Sequence, residues 1–245
     1  MATAERPCVA GVDGCPAGWA VVFLALAGDP EPEFALFPDF ALLLDDPRRP
    51  AIIAVDMPIG LPERIGPGGR GPERLVRPLL GERQSSVFSV PSRATVMEDD
   101  YARACAVALA TSEPPRKVSK QCFHLFPRIR EIDRLMTPAL EARVYEAHPE
   151  LAFWRINGER PVPVAKKVKS RANPPGIALR SDLLVAKGYG RAFLDQPLPR
   201  GVGRDDLLDA AVLGLAARRI ARGEGRSFPA APERDAKGLR IAIWT

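Results

Sequence analysis

Cysteine is scarce. The four cysteines, Cys8, Cys15, Cys105 and Cys122, include no pair with the spacing of a zinc knuckle or a dithiol redox motif, which excludes both. No apolar run reaches the roughly 20 residues of a membrane span, and MATAERP at the N-terminus carries no apolar h-region. The sequence therefore predicts no membrane helix, no secretory signal and a reduced, cytoplasmic setting. Internal repeats and low-complexity linkers are missing, so nothing suggests a repeat array. Charge of one sign is not gathered into a long run either: the net +5 is dispersed and leans only weakly towards an anionic partner.

What is present is the composition of an ordinary globular protein. The 245 residues are 46% hydrophobic and 27% charged, and 26 prolines imply many turns. That length fits one α/β domain, residues 1–245, with an insertion. CVAGVDG is a continuous apolar run, as expected of a central strand covered on both faces, and Asp13 closes it. WAVVFLAL, from Trp19, reads the same way and is expected to pair with it through the GCPAG turn. Glu33 to Phe37 is a weaker third strand, and a short helix follows from Asp39 to Leu44. Ala51 to Asp56 is a further buried strand, again ended by a carboxylate.

From about residue 60 to 142 the pattern turns mostly helical, opening on the glycine-rich GPGG. Ser92 can cap one long helix that runs on through Leu109, and Pro127 marks a kink or break in a second. In the next strand Val144, Glu146 and His148 share a face, because side chains alternate. Pro149 suits the first position of a helix that Asn157 and Gly158 end. VAKKVKSRANPPG reads as a basic loop and IALRSDLLVAKGYG as a helix with a glycine stop. In GRDDLLDAAVLGLAARRIARG, Leu207, Leu208, Ala211, Leu215 and Ile220 form an apolar helical stripe. GLRIAIW closes the chain as a strand.

Carboxylates recur where these elements end: Asp13, Asp56, Glu146, and the cluster Asp205, Asp206 and Asp209. On a helix Asp206 or Asp205 can share a face with Asp209. Magnesium and manganese take oxygen ligands on rigid elements, and a pair of such ions needs acids from several elements to clamp a phosphoryl transfer. Each acid also has a plainer reading. Asp13 and Asp56 can be turn residues bonded to nearby amides. Asp205 can be an N-cap, and Asp206 a partner of the helix dipole. Asp209, one turn into an apolar helix, is harder to explain that way. Glu146 can belong to a local hydrogen-bond network with His148. Cys15 is either a nucleophile or a packed thiol, and His124, in an apolar helix, reads as structural. Lys166, Lys167, Lys169, Arg171 and Arg180 are a solvated face or a phosphate path, and Arg70, Arg93 and Gln121 are candidates to reach the same cleft.

GVDGCPAGW, AVDMPIGLP, GERQSSVFSVPSR, YEAHPELAFW and GRDDLLDAA follow one another here in the order of a known family. From about Cys8 to Trp244 the chain resembles domain-of-unknown-function family 429, predicted nucleases of ribonuclease-H-like fold. The resemblance implies a mixed five-stranded sheet flanked by helices. It assigns metal binding to the positions of Asp13, Asp56 and the Asp206/Asp209 pair. The D-x-x-D-A form at Asp206 to Ala210 is similar to that of Holliday-junction resolvases, whereas the EAHPE segment with Glu146 and His148 has no superfamily counterpart.

Three functions are open on this reading. One is a Mg²⁺- or Mn²⁺-dependent nuclease, with Asp13, Asp56 and Asp206 or Asp209 on metal and Glu146 or His148 moving a proton. A second is an actin-like nucleotide-binding phosphotransferase or ATPase, whose first turn also carries D-G, although GVDGCPAGW lacks the usual Ser or Thr. The third is a non-catalytic scaffold that binds nucleic acid or protein through its basic surface.

Overall fold

The computed structural model describes residues 7–28, 32–169 and 171–245. Cys8–Cys15 (β1) turns back into Gly18–Ala25 (β2), which pairs with Glu33–Phe37 (β3). Asp39 caps Phe40–Leu44 (α1) by accepting the Leu42 N–H. Ile53–Val55 (β4) follows. Helices then fill the chain as far as β5: Gly71–Val76 (α2), a 3-10 segment Arg77–Ser86, Arg93–Val96 (α3), Tyr101–Ala110 (α4), Lys120–Phe123 (α5) and Phe126–Leu135 (α6). Val144–Glu146 (β5) leads into Pro149–Ile156 (α7). A small hairpin of Lys167–Val168 (β6) and Arg171–Ala172 (β7) precedes Pro174–Val185 (α8), Arg191–Leu194 (α9) and Arg204–Ala221 (α10). Ser227–Arg234 (β8) and Arg240–Trp244 (β9) end the chain.

The main sheet has the order β3-β2-β1-β4-β5. β1 runs antiparallel to β2 and parallel to β4, which runs parallel to β5. Period-two alternation sends the residues of each strand to two cores. Ala10, Val12, Ile53, Val55 and Val144 face the helical insertion, where Phe126, Ile129 and Ile132 of α6 pack at helical spacing. The insertion is also tied to the sheet by Glu131, whose Oε1 accepts from Trp19 Nε1 at 3.0 Å and from the Phe40 N–H at 2.6 Å. Val9, Val22, Leu24 and Ala54 face the other way, onto α10, with α7 and α8 beyond it.

Several readings of the sequence need correction. β1 continues through Asp13 to Cys15, so Asp13 lies within the strand, opposite Ala20. The long helix expected after Ser92 is two helices, because Asp100 caps a new one by accepting the Arg103 N–H. Pro127 breaks rather than kinks, sitting in the first turn of α6 after α5 has ended. The basic loop contains the β6–β7 hairpin. GLRIAIW is a strand as expected and pairs with β8, outside the main sheet; β8 itself was missed because Pro229 and Pro232 hid it, since proline cannot donate to a ladder. α10 is no surface helix with a stripe, for every residue from Asp205 to Ala217 is buried. No helix among the described residues is long and apolar enough to cross a membrane.

Gly11 sets how closely α10 approaches the sheet. A Cβ there would lie 2.0 Å from Gly214 N and 2.1 Å from Ala210 O, both backbone atoms. Gly11→Ala is therefore expected to push α10 off β1 and cost about 1–3 kcal/mol or more, the overpacking range. Urea unfolding checks this; a loss below about 0.5 kcal/mol would mean that the helix shifts freely.

Candidate active site

One cleft of about 570 Å³ opens at the C-terminal edge of β1, β4 and β5. Asp13 shares a face of β1 with Val9 and Gly11, and Asp56, one residue beyond β4, shares a face with Ala54. Both therefore stand on the α10 side. Strand pairing keeps them adjacent: the Asp56 N–H donates to Val12 O at 2.9 Å. The close approach at Gly11 brings the first turns of α10 to the same rim, and Asp205, Asp206 and Asp209 line the cleft with them. Five carboxyls from three elements thus face one space.

Their electrostatics show how crowded that space is. Burial, reinforced by the charge of Asp56, raises the Asp13 pKa well above the ordinary carboxylate value, with Lys166 pulling the other way. Asp56 is also raised by burial, and His148, Lys166 and a hydrogen bond with Asp13 oppose that rise. Two carboxyls can hydrogen-bond only if one keeps its proton, so the pair holds a proton between them. Burial raises Asp206 as well, against its bond from the Gly203 N–H.

Two ammonium groups answer this charge. Lys166 Nζ contacts Asp209 Oδ2, and Lys167 Nζ lies 2.5 Å from Asp205 Oδ2. Asp205 is thus not an N-cap: Gly203 holds that position, and Asp206 Oδ2 accepts its N–H at 2.7 Å. Asp209 Oδ1 is buried with no partner among the described residues.

Glu146 is placed differently. It shares a face with Val144, opposite to that of Asp13 and Asp56, and meets the insertion. Its Oε2 accepts from the Ile59 N–H at 2.7 Å and from Arg70 Nη1 at 3.0 Å, and its Oε1 accepts from Arg70 Nη2 at 2.5 Å. Arg70 also donates to Glu73 and to the carbonyls of Ile59 and Gly60. Burial raises the Glu146 pKa to about 7 against the pull of Arg70. The network foreseen for Glu146 exists, but its partner is Arg70. His148 instead reaches Ser86 O through Nε2 at 3.3 Å, with Nδ1 buried and without a partner among the described residues.

The far wall of the cleft comes from the insertion: Ser86, Phe88, Gln121, His124 and Arg128. Gln121 reaches the cleft as anticipated, but His124 is exposed rather than structural. Arg128 and Phe88 were not singled out from the sequence; the only signal for Phe88 was its place in the GERQSSVFSVPSR motif. Arg128 is fixed by donation to Cys15 O at 2.9 Å and by stacking on Trp19. Cys15 is a buried thiol whose pKa burial raises, which fits packing better than nucleophilic attack. Arg93 turns away from the cleft to Asp133 and Asp235. Arg180 is no part of a solvated face: it is fully buried against Glu150, with both contacts at 2.7 Å.

Among the described residues no three His, Cys, Asp or Glu side chains stand ready around one metal ion. The acids are closed up in pairs, Asp13 with Asp56 and Asp209 with Lys166. The donor set still fits a hard cation: it is all oxygen, it includes the orphaned Asp209 Oδ1, and an ammonium group already stands in its midst.

The five-stranded mixed sheet, with acids at the rim of its central strands and on the final long helix, defines a ribonuclease-H-like arrangement. Residues 11–234 match a family described as "Protein of unknown function (DUF429)", and the chain belongs to that family. No curated protein and no solved structure matches it.

Proposed function

We propose that this protein is a Mg²⁺- or Mn²⁺-dependent phosphodiesterase that hydrolyses nucleic acid in the cytoplasm. The observation that carries the reading is the cleft itself: of the eight carboxyls lining it, five are aspartates from β1, the end of β4 and α10, and the cations lining it are Arg70, Arg128, Lys166 and Lys167. Asp13, Asp56 and Asp209 are the residues that would hold a divalent ion. Such an ion, when bound, neutralises charge developing on a phosphoryl group and makes water more acidic. For this the Asp13–Asp56 pair must give up its proton and Lys166 must leave Asp209. Lys166 then remains in the cleft as a cation able to meet a phosphate oxygen. His148, beside Asp56 with an unpartnered Nδ1, can accept and pass on a proton there. Glu146, with both oxygens engaged, holds the Ile59 backbone and Arg70 in place. Free thiols at Cys15, Cys105 and Cys122 suit a reducing compartment.

The test is incubation of single-stranded, duplex and branched DNA and RNA with Mg²⁺, Mn²⁺ or a chelator. Cleavage that requires the divalent ion is the expected result. No cleavage of any substrate, with calorimetry detecting ATP binding, would favour the actin-like reading instead.

Lys166→Met is expected to act on metal and fold in opposite directions. It leaves the buried Asp209 without its cation, so the metal-free protein should lose about 3 kcal/mol. Mn²⁺ should bind roughly tenfold tighter, about 1.4 kcal/mol, once the competing ammonium is gone. Calorimetry with Mn²⁺ checks both; unchanged or weaker binding would show that Lys166 does not stand where a cation goes.

A further inference from the structure

A second cavity, of about 240 Å³, shares Phe88 and Val90 as a wall with the acidic cleft. Its chemistry is the reverse. No acid lines it, whereas Arg116 and Lys117 do, both exposed and neither with a carboxylate partner among the described residues. Arg77 stands close by, its guanidinium donating to Ser89 Oγ at 2.9 Å. Burial lowers the Arg77 pKa; Glu73 opposes this and Arg116 adds to it, so the two arginines feel one another. Glu73, behind Gly69, is already held by Arg70.

Hydroxyls complete the lining. Ser89 Oγ accepts from Arg77 and Ser119 Oγ accepts from the Cys122 N–H at 3.2 Å, which leaves both hydroxyl hydrogens for a ligand. The glycine-rich GPGG segment supplies backbone. Gly69 has φ +96, and a Cβ there would fall 2.7 Å from Glu73 Oε2 and 3.1 Å from Ser89 Oγ. A side chain at that position would thus crowd the hydroxyl that faces the cavity.

We infer that this cavity is a phosphate-binding site, and that it takes a phosphate of the same nucleic-acid chain whose scissile phosphate lies over the acids. Cations with no counter-ion, hydroxyl donors and a tight glycine backbone are the chemistry that binds phosphate. Phe88, partly exposed on the shared wall, offers a face for the intervening base or sugar. The identity of the ligand rests on the phosphodiesterase reading, but its chemistry does not.

The experiment separates the two. Inorganic phosphate is titrated into the metal-free full chain while backbone amides are followed by NMR. Saturable shifts are expected at Gly66, Gly69, Ser112 and Lys117, unchanged in Asp13→Asn and weakened at least tenfold in the double variant Arg116→Gln/Lys117→Gln. Both replaced side chains are exposed, so the fold is kept. A labelled single-stranded oligonucleotide is then bound to Asp13→Asn with and without the double substitution. The slope of log K against log salt should fall by about one, for the single phosphate that loses its cations. Phosphate shifts confined to the acidic cleft, or a double variant that binds phosphate like the parent, would overturn the site. Phosphate binding with an unaltered salt slope would overturn the shared chain and leave a site for free phosphate. None of these readouts requires cleavage, so a failed nuclease assay does not decide them.

Discussion

Asp13→Asn is expected to abolish divalent-dependent cleavage while leaving the fold intact. Asp13 forms a buried carboxyl pair with Asp56, and burial and the neighbouring charge raise its pKa well above the ordinary value, which favours a shared proton. An asparagine amide at the same place can donate to Asp56 as the protonated carboxyl does. The unfolding free energy should therefore stay within about 1 kcal/mol of the parent, or rise. What the amide cannot do is ionise to hold a cation. Turnover should fall by about a hundredfold or more, and Mn²⁺ binding should weaken in parallel. Cleavage at parental rate would remove the proposed mechanism. A large loss of stability would mean that Asp13 is needed as a charge by the fold itself.

Arg70→Met should produce the largest change in stability. The guanidinium and its partners Glu73 and Glu146 are 5% exposed or less, and removing one member of such a pair costs about 3–5 kcal/mol. For a chain of this length that is a fall in Tm of roughly 10 °C. The loss should also depend on pH in a definite sense. Glu146 already sits at about 7 when folded, above its unfolded value. Its contribution to stability is thus present at low pH and fades as pH rises through about 7. Without Arg70 its folded pKa rises further, so the deficit should be greatest near about pH 8 and shrink towards about pH 5. Thermal unfolding across that range checks it; a small deficit that does not vary with pH would contradict the buried ion-pair account.

Most of the sheet was legible in the sequence because its strands are continuous apolar runs, which only a two-sided core explains. The acids were legible for a related reason: Asp13 and Asp56 interrupt such runs, and an interruption next to a core requires a cause. Glu146 interrupts one too and lines the same cleft, but from the other side of the sheet. Period two places it on the opposite face, and nothing local announced that Arg70, 76 residues away, would engage it. Arg180 misled for the same reason, since a buried arginine and a solvated one look alike until Glu150 is seen beside it. Burial all round α10 was hidden because alanine and glycine carry little hydrophobic signal, although they are what permits the contact with Gly11. His124 was misjudged in the other direction: α5 stops at Phe123, so the face to which it was assigned does not extend that far.

The backbone contact at Gly11 has a consequence for how the cleft can work. With no side chain between the two backbones at Gly11, there is little there to give, and the stretches of β1 and α10 that carry Asp13 and Asp209 are held close. The ammonium groups that face those acids stand instead on the short ribbon bearing Lys166 and Lys167, held at its root by Asn173 and Arg180. On the proposed reading, loading would exchange one cation for another over a fixed anionic seat.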